Sequence, residues 1–361
     1  MSSTYGRTFQ ISIFGESHGK GIGVVIDGVP AGIPIEGEKV LADMKRRMPR
    51  AVAGSTARRE SDVPRVLSGI YQGRTTGSPI CAVIENNNQR SRDYDFDTRP
   101  RPSHADYTAA VKYGGFADMR GGGHFSGRLT APLVFAGAVA RQYLETRGVT
   151  VGSHILSIGG IEDDTFDPVN IDIDKLKCLY NMQFPVLNEV QGKRMEEEIE
   201  RARMDCDSVG GVIECAAVGL PVGIGEPMFD GIEPALAKGI FGIPAVKSLE
   251  FGAGRDITAL RGSQANDQMT MRDGQVAFLS NNSGGVLGGI SNGMPLVLRV
   301  GFKPTASIAK EQRTVNLKEE QETRLVIQGR HDSCIAVRGL AAVEAVVAIG
   351  LADLMIGQVK Q

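Results

Sequence analysis

The chain has no tryptophan, and only 6% of its residues are aromatic, so an aliphatic core is expected. It also has no surplus of charge: 40 Lys and Arg stand against 42 Asp and Glu, for a formal net charge of -2. That balance excludes a global attraction to nucleic acid or to an anionic membrane, so any anion site must be local. The five cysteines, Cys81, Cys178, Cys206, Cys215 and Cys334, lie far apart, without a CxxC pair or a metal-ligand spacing. They imply a reducing compartment and no bound metal. The first residues lack an apolar signal core, and no uninterrupted run approaches the roughly 20 apolar residues that span a bilayer. The expectation is a cytoplasmic protein.

What the chain does have is length, aliphatic content and glycine. With 361 residues, 42% of them hydrophobic, it can bury a large core, and its 46 glycines gather in clusters. Such clusters bring backbone close to a ligand or to itself; many tight turns are the alternative. Strand-like runs stand at Phe9 to Phe14, Gly23 to Asp27, Ile80 to Glu85, Val209 to Val218, Pro295 to Phe302 and Arg324 to Gln328. Helical spacing predicts helices over Glu36 to Met48 and Asn188 to Asp205 (with Glu197 supporting Arg201), an Ala-rich apolar stretch closed by Gly148 predicts another over Thr130 to Arg147, and a final helix is expected from about Leu340 to Met355. No linker or low-complexity block divides the chain. The pattern G-x-P-x-G-I occurs twice, at Gly28 to Ile33 and Gly219 to Ile224, each after a strand-like run and ahead of a helix. This echo predicts one domain over residues 1–361 with two pseudo-symmetric halves; recurrence of ordinary turn residues is the competing account.

Several blocks carry chemistry. Gly15-Glu16-Ser17-His18-Gly19 follows a strand, where small polar residues face a cleft. Adjacent residues on a strand point to opposite faces, so Ser17 and His18 are not thereby a nucleophile pair, and a turn-stabilising histidine is the alternative. Lys45, Arg46, Arg47, Arg50, Arg58 and Arg59 offer cations to an anionic ligand, or simply a wet surface. The segment Arg99 to Thr108 and the run Arg120-Gly121-Gly122-Gly123-His124-Phe125-Ser126-Gly127-Arg128 put two histidines beside a glycine-rich loop ahead of a helix. That suits an anion and proton transfer near neutral pH, with a packing turn as the alternative. The loop matches neither the P-loop nor the dinucleotide fingerprint. Late blocks around Gln264, Gly288, Lys303 and His331 add carboxamides, cations and hydroxyls.

Read in order, GESHG, RPSHADYT, RGGGHFSGR, LRGSQAND, SGGVLGGISNG, KPTASI and GRHDSC resemble the signature blocks of the chorismate synthase family, from Gly6 to about Arg338. The resemblance implies an α+β fold, a layered sandwich with a helical layer between antiparallel β-sheets, usually assembled as a homotetramer. It implies a lyase that converts 5-enolpyruvylshikimate 3-phosphate to chorismate by 1,4-anti elimination with reduced FMN. His18, His104 and Asp332 match the family's catalytic positions. Arg46, Arg47, Arg128 and Arg338 match substrate-anion positions. The flavin positions are His124, Phe125, Ser126, Ala245, Gln264, Asn266, Gly288, Lys303, Pro304, Thr305, Ala306, Ser307 and Arg330. An external reductant, such as a flavin reductase, is implied, and an NADPH contact near Arg47 is left open. The sequence departs from the family pattern at His124, where an arginine is usual, and at Ser103, where a glycine is usual; a usual arginine near Ala53 is missing, with Arg50 as its stand-in. A flavin reductase that uses NAD(P)H and a non-enzymatic anion-binding protein are the competing functions. The first lacks a dinucleotide fingerprint, and the second leaves the gathered histidines and arginines unexplained.

Overall fold

Alternating apolar residues in the first part of the chain pair into an antiparallel sheet. Its five strands run in the order Thr4–Tyr5, Gln10–Gly15, Gly21–Asp27, Ile80–Glu85 and Arg65–Ser68. Ile22, Val24, Ile26, Ile80, Ala82 and Ile84 line its inner face, each 2% exposed or less. The structure, a computed structural model, describes residues 3–48, 62–86, 96, 98–327 and 331–359. A second antiparallel sheet of five strands follows, in the order Val246–Phe251, Leu296–Phe302, Gly211–Val218, Thr150–Ile158 and Ile161–Glu162.

Eight α-helices are described: α1 (Gly37–Arg47), α2 (Asp106–Lys112), α3 (Thr130–Glu145), α4 (Ile173–Asn181), α5 (Glu189–Met204), α6 (Ile232–Ile240), α7 (Gly262–Ala265) and α8 (Ala336–Val359). Helices α3 and α8 are apolar on nearly every side because they lie between the sheets, α3 against the first and α8 against the second. They cross closely: a methyl group at Gly137 would lie 2.3 Å from the Ala345 methyl carbon. Helix α8 is long and apolar enough to cross a membrane, yet 89% of its most apolar window is buried inside the fold. Each fully buried Val, Leu or Ile here contributes about 1.5–3 kcal/mol. The layered α+β sandwich follows from this burial. Helices α4 and α5 pack on the Thr150–Ile158 strand, outside the helical layer.

The two halves repeat one another. The four main strands of the first sheet, taken in chain order as first, second, third and fourth, lie in the spatial order first, second, fourth, third, and so do those of the second sheet. In each half a G-x-P-x-G-I turn leaves the central strand and leads to a short helix, α1 or α6, and the half closes with a long buried helix, α3 or α8. The turns share their bonding. Thr75 Oγ1 donates to the Pro30 carbonyl (2.6 Å) and accepts from Ile33 N–H (2.9 Å). Ser291 Oγ donates to the Pro221 carbonyl (2.6 Å) and accepts from Ile224 N–H (2.8 Å). Gly32 and Gly223 occupy the same left-handed region, with φ of +87° and +98°. The echo is therefore structural, and chance recurrence does not account for it.

Most expected elements lie within a residue or two of their sequence bounds. The last strand is Gln321–Leu325, earlier than expected, and α8 extends beyond the expected helix at both ends. Arg201 pairs with Glu198 (3.2 Å) rather than Glu197, because residues three apart also meet on a helix face.

Candidate active site

In each half a long connection joins the last of the four main strands to the buried helix: residues 86–129 in the first half and 303–335 in the second. These two connections meet. Lys303 Nζ donates to the Ser103 carbonyl (2.5 Å), Arg101 Nη1 to Ser307 Oγ (3.4 Å), Thr314 Oγ1 to the Pro100 carbonyl (2.5 Å) and Leu317 N–H to the Thr98 carbonyl (2.9 Å). The candidate site is thus built across the junction of the halves.

The glycine run organises the imidazoles. Gly121 and Gly122 both have positive φ, +61° and +91°. A methyl group at Gly121 would lie 2.6 Å from His18 Cε1, and one at Gly122 would lie 3.4 Å from His104 Cε1 and Nε2. Consecutive glycines therefore set His18 and His104 against one stretch of bare backbone. Ser17 N–H donates to the Gly123 carbonyl (3.1 Å), fixing the first histidine loop to the glycine run. His104 Nδ1 lies 2.6 Å from Asp106 Oδ1, and Arg101 grips the same carboxylate through Nε (2.8 Å) and Nη2 (2.7 Å). Burial raises the Asp106 pKa, but the hydrogen bonds from Arg101 and His104 outweigh it and hold the carboxyl well below its ordinary value.

A chain of ion pairs runs beside the imidazoles. Asp62, 1% exposed, is shared between Arg47 and Arg128. Arg47 Nε also donates to Thr130 Oγ1 (3.1 Å), and Arg128 Nε to Asn86 Oδ1 (3.1 Å). Asn86 returns to the histidine loop through the Glu16 and Gly19 carbonyls (3.1 and 2.9 Å). Arg338 joins the Arg47 carbonyl (3.1 Å) to Asp332 Oδ2 (2.6 Å). The Arg338 side chain is 19% exposed, that of Arg128 6% and that of Arg47 2%, so Arg338 has the most open guanidinium of the three. Arg47, where an NADPH contact was left open, is closed over by these partners.

The segment Lys303 to Ser307 has the character of an anion seat. Burial and the neighbouring Lys247 hold the Lys303 ammonium below its ordinary pKa, as expected where two cations face each other with no carboxylate partner among the described residues. Thr305 Oγ1 is buried and has no hydrogen-bond partner among the described residues. The backbone around it is constrained. Ala245, at φ +72°, accepts from Lys303 N–H (3.0 Å), and Ser103 sits at φ +58°. Pro304 and Ala306 belong to the same segment, and Ser126 accepts from Arg128 N–H (3.2 Å). The Phe125 ring packs against Tyr113 at 6.3 Å.

Other expected residues lie elsewhere. Arg46, next to Arg47 but turned about 100° around α1, is paired with Glu344 (2.8 Å) in a buried cluster with Asp43, Arg141 and Tyr180. His124 Nδ1 lies 2.8 Å from the Gly15 carbonyl and its Nε2 lies 2.8 Å from Ser3 Oγ. Asn282 Nδ2 donates to the Gln264 and Ala265 carbonyls, next to Asn266, while the Asn282 carbonyl accepts from Ala253 N–H and the adjoining Gly252 N–H donates to Val297, near the start of the strand Leu296–Phe302. Gly288 precedes Gly289, whose carbonyl accepts from Ile232 N–H at the start of α6. Lys303 follows the far end of that same strand, about 20 Å away at roughly 3.4 Å per residue. Within one chain these three are not brought to the Lys303 segment. Arg330 and Arg50 lie outside the described residues. Sequence reasoning missed Asp62, Asn86, Arg101 and Asp106. Arg101 and Asp106 flank His104 within the RPSHAD block, and that spacing was the available signal. His331 was noted without a role; partial desolvation and the Arg101 charge hold its pKa below the ordinary value.

Imidazoles over bare backbone, an ammonium and hydroxyl seat and a string of ion-paired arginines define an α+β enzyme suited to proton transfer on an anionic ligand. The sequence profile of the chorismate synthase family matches residues 9–356. The chain is 48% identical to the chorismate synthase of Dehalococcoides mccartyi strain BAV1, over 98% of this chain and 96% of that one. It is 46% identical to that of Pyrococcus abyssi, over 96% of each chain. A solved structure, titled as the crystal structure of chorismate synthase, superposes with a TM-score of 0.76 at 28% identity, over 98% of this chain and 92% of that one. This chain belongs to the chorismate synthase family, lyases of the shikimate pathway.

Proposed function

We propose that this protein converts 5-enolpyruvylshikimate 3-phosphate to chorismate and phosphate by 1,4-anti elimination, using reduced FMN. Overall the substrate loses phosphate and one ring hydrogen and gains a ring double bond, with no net oxidation. The observation that carries the reading is the pairing of His18 and His104 on consecutive glycines beside the Lys303 seat. The residues present fit a flavin phosphate, since Thr305 Oγ1 is a buried hydroxyl without a partner among the described residues, two positions along from the Lys303 ammonium. Lys303, Thr305 and Ser307 would hold that phosphate, and Ser126 and Ala245 lie near the ring's place in the family. Reduced FMN, when bound, supplies electron density that helps the substrate's phosphate depart.

This chain's own residues do the rest. His18 supplies a proton to the departing phosphate, and His104 holds a proton for the cofactor side of the cleft. Asp332, oriented by Arg338, handles the remaining proton transfer. A substrate with two carboxylates and a phosphate, next to a flavin phosphate, crowds negative charge at low effective dielectric. Arg338 answers that charge directly, while Arg47 and Arg128 act through Asp62. Gln264, Asn266 and Gly288, remote within one chain, would reach the flavin from a neighbouring copy, in keeping with a homotetramer. The reductant comes from outside the chain, and residues 1–361 act as one domain.

An anaerobic assay with dithionite-reduced FMN tests the reading. Chorismate and phosphate should form in equal amounts, and His18→Ala and His104→Ala should each reduce the rate. NADPH-driven flavin reduction without elimination would overturn it in favour of a reductase. Activity untouched by either substitution would remove the catalytic assignment.

A further inference from the structure

The proton inventory around His104 carries one step more. Nδ1 has two polar neighbours that make opposite demands. Asp106 Oδ1, at 2.6 Å, can only accept from it if ionised, whereas Arg101 Nη2, at 3.0 Å, can only donate. A hydrogen on Nδ1 satisfies the carboxylate and leaves Nη2 to its own 2.7 Å bond to Asp106 Oδ1. A bare Nδ1 would instead press a lone pair against a carboxylate oxygen at the shorter of the two distances. The carboxylate cannot turn away. Its side chain is fully enclosed, and Arg101 N–H (2.9 Å) and Nε (2.8 Å) both donate to Oδ2. Arg101 is itself fixed, with its guanidinium 4.0 Å over the Phe96 ring.

We propose that Asp106 is a positioning residue that keeps a hydrogen on His104 Nδ1, so that Nε2, the nitrogen lying against Gly122, is the atom that exchanges protons with the ligand. In each exchange the Nε2–H bond breaks or forms while the Nδ1–H bond persists, and the imidazole passes between its cationic and neutral forms. Gly122 puts no side chain of its own against Nε2, which leaves a ligand atom room to approach on that side. This deepens the proposed function, resting on His104 as a proton-exchanging group, but the tautomer itself can be read without turnover.

The chain has five histidines, few enough to resolve in long-range proton–nitrogen spectra of uniformly labelled native protein, with His104→Gln assigning the signal. The neutral form of His104 should carry its hydrogen on Nδ1 and none on Nε2. A hydrogen on Nε2 in the native protein would overturn the proposal, whether or not any variant folds. In Asp106→Asn the Nε2-protonated form should rise by about tenfold, since the partner of one ring nitrogen sets the state of the other. An unchanged spectrum would count against Asp106. In the elimination assay the same variant should lose kcat by about a hundredfold with KM nearly constant, the scale of a general acid or base. A rise in KM with kcat unchanged would mark Asp106 as merely structural. Absence of chorismate from the native protein would sink the proposed function and leave the spectroscopic result to stand or fall alone.

Discussion

Gly121 lies so close to His18 that a Cβ there would sit 2.6 Å from the imidazole Cε1 and 2.8 Å from both ring nitrogens. The glycine and the histidine therefore occupy one volume between them, although about a hundred residues of chain separate them. Gly121→Ala should push the His18 ring aside and also place a methyl-bearing residue in the left-handed region, at about 1–2 kcal/mol. A loss of about a hundredfold in kcat is expected from a displacement on the order of 1 Å. Steady-state kinetics with a thermal melt check both effects, and wild-type kcat would show that His18 tolerates displacement.

Asp62 is the hinge of the arginine chain. Asp62→Asn removes the charge that Arg47 and Arg128 share, leaving two buried guanidinium groups without it. Breaking a buried pair in this way costs about 3–5 kcal/mol. Denaturant unfolding followed by circular dichroism measures it, since the chain has no tryptophan to report by fluorescence. Lys177→Ala, which breaks an exposed pair with Asp174, should leave the same curve unmoved.

Stability should also depend on pH through His154, on the outer face of the second sheet. Its ring lies between Asp163 (3.2 Å) and Glu214 (3.0 Å), and Arg299 binds the far side of Glu214 (3.0 Å). Burial alone would lower the His154 pKa, but the two carboxylates outweigh it and raise it above the usual 6.5. Its contribution is therefore complete below about pH 6.5 and fades as pH rises through the folded-state value. Asp163 and Glu214 behave oppositely. Burial raises them, hydrogen bonds from His154 and from backbone N–H groups lower them further, and their contribution fades as pH falls below about 4. The unfolding free energy of native protein minus that of His154→Gln should be largest near pH 5–6 and shrink towards pH 9. A difference that stays flat across that range would show the His154 pKa to be unshifted by folding, and one that grows towards pH 9 would show the ring to be uncharged in the fold.

At position 124 the family's usual arginine is replaced by a histidine that holds the Gly15 carbonyl and Ser3 Oγ. His124→Arg can still donate to Gly15 and adds a permanent cation next to the glycine run. FMN affinity, measured by titration, should be retained or strengthened. Clearly weaker binding would mean that the Ser3 contact, which arginine cannot accept, matters more than the charge.

Much of this architecture was legible because its parts are local. Strand Ile80–Glu85 declares itself by its alternation and helix α3 by its long Ala-rich apolar run closed by Gly148, and the paired G-x-P-x-G-I turns announced the repeat. Candidate site residues were legible as blocks because short polar runs set among glycines stand apart from the apolar patterns of strands and helices. What the chain does not write is distance. Arg46 and Arg47 are neighbours in sequence, yet helical geometry sends one to Glu344 and the other to Asp62. Gln264 and Gly288 read like the Lys303 segment but lie a strand's length from it. The strand Thr150–Ile158 was missed because Gly152, Ser153 and His154 interrupt its apolar pattern, each for a tertiary reason. Gly152 closely approaches Leu176, Ser153 donates to Glu344, and His154 sits among buried carboxylates. Ser103 was visible as a departure from the family's glycine, but its φ of +58° was not.

The repeat has a consequence for how such a cleft arises. A single half-length ancestor pairing with its own twin would have met it across a two-fold axis, presenting the same connection from both sides. Tandem fusion removes the obligation to keep those two loops alike. In this chain the two loops are unlike: the one before α3 carries His104 and bare glycines, the one before α8 the Lys303 ammonium and neighbouring hydroxyls, so a lopsided cleft is housed in a symmetric frame.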